Sequence, residues 1–311
     1  MTHFGLDSPL RMSVGTLFAG PAQDGGFMEA GHRALLRTSA TLDVAVVFVD
    51  QIPPRSEALR AALHMLAEAG HQLVIAHGGQ NNEAVLDIAP LFPQIAFAVT
   101  QGQVSAANVA SYDVMQEHSA FLAGMLAALT TRTGIVAHLS GIRVRPGLKG
   151  RAAFAHGVRH ADAGVRFLST FCGHQDDPDV AEAAARDMIA AGADRLFTML
   201  NSGRAGAITA CRALGCRQIG NVDDWTLREP DVFIGSALAD VGIGVARAIE
   251  DFTEGVFPAG DIRHIGLECE GAVGLALHPD VETPVRTAIA DAADAIRSGR
   301  LVVDVTHDQM A

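Results

Sequence analysis

The sequence predicts an α/β protein built from two doubly wound parallel-sheet lobes. Three observations carry that expectation. A length of 311 residues exceeds what one hydrophobic core commonly organises and suits two α/β lobes. Short β-branched or leucine-rich runs alternate with amphipathic helical patterns, the order that βαβ units and parallel sheets produce. Hydrophobic residues make up 49% of the chain and charged residues 19%, but only one Trp and one Tyr are present. The cores must then be built from Ala, Val, Leu and Ile, as sheets buried on both faces require.

A first set of strands is expected at 13–18, 44–49, 73–76 and 95–99. A second set follows at 135–139, 165–170, 195–199, 218–220 and 232–238. The helices between them carry punctuation. Ser56 can cap a helix whose Leu59, Leu63 and Leu66 recur at helical spacing, with Gly70 as its stop. Asp177 before Pro178 reads as an N-cap followed by proline at the first helical position, and Gly192 ends that helix. Thr283 before Pro284 repeats the device, with Gly299 as the stop.

The break between the sets is expected at 111–117, with the chain crossing back from about 235. That gives lobe 1 as 1–114 plus about 235–264, and lobe 2 as 115–234 plus about 265–311. No low-complexity linker intervenes, which suits lobes joined by several short crossings. Such a hinge is expected to leave a cleft at the strand C-termini, where open α/β sheets bind ligands.

Charge and composition narrow the function. A formal net charge of −12 repels nucleic-acid backbones and anionic lipid surfaces. Anionic ligands stay possible at helix N-termini. No apolar run reaches the roughly 18–20 residues that span a bilayer. The longest, 120–129, reads as a buried helix. The segment 1–11 lacks a basic region followed by an apolar one, so no signal peptide is read as the sequence is written. The expected compartment is the periplasm if a leader has been removed, and otherwise the cytoplasm. Cys172, Cys211, Cys216 and Cys269 fit neither a redox nor a zinc spacing and are expected to be inert thiols.

Catalytic signatures are missing. There is no GxSxG elbow, HExxH or Walker A lysine. Gly242-Ile243-Gly244 lacks the third glycine of a dinucleotide loop, because Arg247 stands there. His156 and His160 share a helical spacing, but no third metal ligand follows. No enzyme, cofactor or metal is therefore expected. Arg143, Arg145, Lys149 and Arg151 form a basic run that Pro146 and Gly147 mark as a loop, either solvated or touching an acidic partner or phosphate. Asp223-Asp224 precedes Trp225 just beyond a strand end, a good place for a small-molecule site.

Several segments together resemble the basic membrane protein family, the purine nucleoside receptor A-like substrate-binding proteins. Gln23-Asp24-Gly25-Gly26-Phe27-Met28 is similar to the family's D-x-G-F-N turn. Ala107-Asn108-Val109-Ala110-Ser111, followed by Phe121-Leu122-Ala123-Gly124, is similar to its N-V-x-S and F-L-A-G pair. Ala191-Gly192-Ala193-Asp194, Ile219-Gly220 leading to Asp224, and Ser236 with Asp240 follow in the family's order. The resemblance implies a periplasmic-binding-protein type I fold that closes on a ligand and delivers it to an ABC permease, without chemistry. It is read as a monomer that is not membrane-inserted and binds no nucleic acid. An intracellular small-molecule sensor on the same fold is the alternative.

Four positions depart from the family pattern: Met28, Gln101, Val222 and Ala239 stand where it has Asn, Asp, an acid and Lys. These replacements remove charge and hydrogen-bonding capacity. Within the expected class of small heterocycles (purine-like base, nucleoside or flavin-like ring), they favour a free purine-like base, a flavin-like ring or another aromatic metabolite over an ordinary nucleoside. The expected ligand contacts are Phe27 with Phe18 or Trp225 as aromatic walls and Met28 as apolar filler. Gln101, Asn201 and His77 are expected to read ring edges, and Asp224 to accept from a ring N–H.

Overall fold

The computed structural model describes residues 12–23 and 26–306. The 1–11 segment read for a signal peptide, and Asp24 and Gly25 of the first motif, lie outside the described residues. In chain order the elements are β1 (Ser13–Phe18), α1 (Phe27–Leu42), β2 (Ala45–Val49), α2 (Ser56–Glu68), β3 (Leu73–His77), α3 (Asn82–Ile88), β4 (Ala96–Thr100) and β5 (Val109–Val114). Next come α4 (Gln116–Thr130), β6 (Ile135–Ser140), α5 (Arg145–Ala161), β7 (Arg166–Phe171), α6 (Pro178–Ala190), β8 (Arg195–Met199) and α7 (Arg204–Leu214). The chain continues with β9 (Arg217–Val222), α8 (Trp225–Arg228), β10 (Phe233–Ala239) and α9 (Ile243–Thr253). It ends with β11 (Ile262–Ile265), β12 (Val273–Leu277) and α10 (Thr283–Arg297).

These elements form two units. The first holds the described residues up to Val114 together with Asp240–Ile265. The second holds Met115–Ala239 and the described residues from Gly266. The return to the first unit comes later than the expected 235. The reason is pairing: β10 runs alongside β9 and β12 through Ala239↔Val273, so the whole strand belongs to the second sheet.

The first sheet has the order β2-β1-β3-β4-β5-β11 and every neighbouring pair is parallel. Its core sets Leu17, Val74, Ala76, Phe97 and Val99 against Leu59, Leu63 and Leu66 of α2. The returning segment is stitched on by polar contacts: the buried Tyr112 hydroxyl of β5 donates to Asp251 of α9 at 2.9 Å, and Arg263 of β11 pairs with the same carboxylate. The second sheet has the order β7-β6-β8-β9-β10-β12, parallel except for β12. Its core includes Leu139, Leu196, Ile208, Cys211 and Phe233. The 120–129 run lies in α4, which is buried through Ala128.

Local readings were mixed. Asp177 caps α6 as expected, accepting from the N–H groups of Asp179 and Val180. Ser56 and Thr283 do not cap: each is already the first residue of its helix, behind Arg55 and Glu282, and neither helix has a side-chain cap. The basic run is not a loop. From Arg145 it is helical, with Pro146 in the first turn, where a missing N–H costs nothing. Lys149 of that helix forms a largely buried ion pair with Glu117 at 2.5 Å, and Arg143 lies over the Phe171 ring at 5.1 Å.

His156 and His160 flank Phe121, with ring centroids at 5.0 and 5.4 Å, and His156 Nδ1 accepts from Asp304 N–H at 3.0 Å. Among the described residues no group of three or more His, Cys, Asp or Glu side chains is placed to hold a metal ion. No helix of the described residues is long and apolar enough to cross a membrane.

Candidate functional site

In each sheet the strand order reverses around its first strand, which opens a switch point between β1 and β3 and another between β6 and β8. Loops at the C-terminal ends of such strands diverge and leave room for a ligand. In the first unit Phe27 and His77 flank the β1/β3 switch point and Gln101 follows β4; in the second Asn201 follows β8, and Asp224 and Trp225 follow β9. Met28 follows Phe27 in α1 and is half-buried against the first core. Phe18 needs correction. It ends β1 opposite His77, but it is fully buried with its ring edge-on to His32, Phe48 and His77. It supports the site from behind and offers no free face.

His77 is also buried, and its two ring nitrogens are both engaged. A carbonyl can only accept, so Nε2 donates to Phe27 O at 2.9 Å and Nδ1 accepts from the Thr100 hydroxyl at 2.7 Å. Thr100 Oγ1 accepts in turn from Gly78 N–H at 3.1 Å. The imidazole lies under the Phe27 ring, with centroids 4.3 Å apart and planes inclined by 22°. Gly31 makes room for it, because a Cβ there would come within 2.6 Å of the imidazole. His77 is thus a fixed base for Phe27, whereas the sequence suggested a direct contact.

Gln101 is turned the same way, toward the protein. Val114 N–H donates to Gln101 Oε1 at 2.6 Å, and Gln101 Nε2 donates to Val114 O at 3.3 Å. Its backbone is left-handed, with φ of 52°. At the corresponding place in the second unit Val222 has φ of 70°. A β-branched residue in that region costs about 1–3 kcal/mol, and such strain concentrates at ligand sites.

In the second unit Asn201 is exposed just after β8. Asp224 is the N-cap of α8: its Oδ1 accepts from Thr226 N–H at 3.0 Å and from the Thr226 hydroxyl at 2.6 Å. Trp225 is half-buried, donates from Nε1 to Asn221 O at 3.3 Å and packs 5.5 Å from Phe233. Two guanidinium groups lie over its indole, Arg204 at 4.5 Å and Arg228 at 5.1 Å.

Arg204 escaped the reading of the sequence. A signal was present, since an arginine at the start of a helix opposes the positive end of the helix dipole and so asks for a reason. Burial pushes its pKa down to about 9, and Asp223 partly offsets that. It stays charged at neutral pH.

The cap that Asp224 forms can be separated from the ligand contact expected of it. Asn caps helices nearly as well as Asp. If the carboxylate also accepts from a ligand, Asp224→Asn should keep the stability of the wild type but lose affinity, while Asp224→Ala should lose affinity and about 1 kcal/mol of stability. Melting curves and titrations of the two variants check this. Equal affinity in all three proteins would limit Asp224 to capping.

Residues 11–301 match the family described as ABC transporter substrate-binding protein PnrA-like. Basic membrane protein A2 of Borrelia garinii subsp. bavariensis is 24% identical, over 86% of this chain and 80% of its own length. A purine-binding protein of Brucella abortus is 22% identical, over 94% of this chain and 82% of its own. Among solved structures, a transcriptional activator of the comK gene from Bacillus halodurans superposes with a TM-score of 0.79 at 21% identity, covering 94% of this chain and all of that one. A solute-binding protein of an ABC transporter system from Aeropyrum pernix K1 superposes with a TM-score of 0.77 at 23% identity, covering 96% and 95%. The fold is α/β of the periplasmic-binding-protein type I class, and the chain belongs to the PnrA-like family of ABC transporter substrate-binding proteins.

Proposed function

We propose that this chain captures a flat heterocycle, a purine-like base, a nucleoside or a flavin-like ring, and presents it to an ABC permease. The observation that carries the reading is Phe27, a half-buried aromatic ring at the mouth of the β1/β3 switch point, stacked on an immobilised imidazole. An aromatic face at that position suits a planar ring, which it binds by stacking at about 1–3 kcal/mol per base. The purine-binding relative supports the same ligand class. The chain acts by binding, as a monomer, in the periplasm if a leader has been removed and otherwise in the cytoplasm.

Ligand binding stabilises a folded protein by mass action, about 2.7 kcal/mol at a hundred times Kd. The protein should therefore melt at a higher temperature with at least one of adenine, guanine, xanthine, their nucleosides or riboflavin. A flat response to the whole panel would sink the heterocycle assignment.

A second reading has its own support. The comK activator of known structure, and a transcriptional activator protein of Bacillus subtilis that is 22% identical over 80% of this chain, suggest a ligand-responsive regulator. A permease gene beside the gene for this chain favours transport. Retention of the ligand-loaded protein by a specific DNA fragment, at odds with its acidic charge, favours regulation.

A further inference from the structure

We propose that Arg204 is a positioning residue that locks Trp225 and the ends of β8 and β9 into one rigid ligand wall; the proposal rests on the ligand-capturing reading above. Its placement is costly on two counts. It is the first residue of α7, at the positive end of the helix dipole, and only 5% of it is exposed. Among the described residues it makes no ion pair, and the acid that acts on it, Asp223, is paired with Arg228 at 3.1 Å. A buried charge without a carboxylate is expensive, and an apolar side chain of similar volume would serve plain stability better.

The hydrogen bonds show what the guanidinium does instead. Nη1 donates to Thr198 O at 3.2 Å and to Thr198 Oγ1 at 3.1 Å. Nη2 donates to Leu200 O at 2.7 Å and to Asn221 Oδ1 at close range. The Thr198 hydroxyl in turn donates to Gln218 Oε1 at 3.0 Å. One planar fork thereby spans the C-terminal ends of two neighbouring strands. Its Cζ lies over the indole, 4.5 Å from the ring centroid, and the indole Nε1 is tied to the backbone of the same Asn221. Arginine suits this task because its donors are rigidly arrayed and its face stacks on aromatic rings; lysine has neither property. Trp225, at the second unit's strand ends, is held from beneath, as His77 holds Phe27 in the first.

Trp225 is the sole tryptophan of the chain, so its fluorescence reports on the wall directly. In the ligand-free full chain, Arg204→Met should raise acrylamide quenching about twofold and shift the emission to the red, as loss of a stacked cation frees the indole. Arg204→Lys, which keeps charge but not the fork, should fall between Met and wild type. Asn221→Ala removes one acceptor and should move quenching the same way by less; it decides the matter if Arg204→Met does not fold. Whichever of adenine, guanine, xanthine or riboflavin binds wild type should bind Arg204→Met about tenfold more weakly, with lysine partly rescuing. Unchanged quenching and emission in folded Arg204→Met would overturn the proposal. A wild type that binds none of these rings and none of the purine nucleosides would defeat the heterocycle reading, while the ligand-free fluorescence still decides the role of Arg204.

Discussion

Gly157→Ala should cost the second unit roughly 3 kcal/mol and lower its melting temperature by about 6–12 °C. Gly157 of α5 and Gly124 of α4 face each other where the two helices cross. A Cβ on Gly157 would run into the Phe121 carbonyl, and one on Gly124 into the Phe154 carbonyl. Both obstacles are backbone, which cannot rotate away as a side-chain tip can. Alanine in place of a helical glycine gains about 1 kcal/mol of propensity, so the clash must exceed that gain before stability falls. Here it does, because the helices must separate and pull Phe121 and Phe154, both fully buried, out of close packing. Gly274 of β12 is the control, since a Cβ there meets nothing within 4 Å and its φ is ordinary. If Gly157→Ala melts alongside Gly274→Ala, the two helices do not meet backbone to backbone.

Phe27→Ala should weaken binding of the preferred ring by about 10- to 100-fold, the loss of one aromatic stack. Little stability should go with it, because Phe27 is only half-buried and its backbone carbonyl, the atom that holds His77, remains. His77→Leu should behave differently. It leaves the buried Thr100 hydroxyl without its acceptor, at about 1–3 kcal/mol, and takes one of its donors from the part-buried Phe27 carbonyl. Stability and affinity should therefore fall together in His77→Leu and separate in Phe27→Ala. Calorimetric titration and thermal melting of both variants read the two quantities. Wild-type affinity in Phe27→Ala would remove the first unit's aromatic wall from the site.

Asp177 was legible as a cap because capping is local: Pro178 and two N–H groups lie within three residues. Ser56 and Thr283 failed the same test because a hydroxyl near a helix start does not decide which residue is first. β11, with Arg263 and His264 between two isoleucines, β5, with Ser111, Tyr112 and Asp113 inside it, and the five-residue β12 carry no pattern strong enough to mark them as strands. They exist because a neighbouring strand pairs with them, in the register Tyr112↔Arg263 and Ala237↔Leu275.

By itself the sequence determined the class of the protein. Alternating strand and helix periodicity, an aliphatic composition and a series of motifs in order specify two parallel-sheet units and a binding family, since those signals are written in neighbouring residues. The tertiary structure decided the roles of single side chains. Phe18 became a buried support and His77 a base for Phe27. Asp224 became a cap, Gly124 a helix crossing and Arg204 the brace of Trp225. Each role depends on an atom supplied by a distant part of the chain, and only the folded backbone brings that atom within reach.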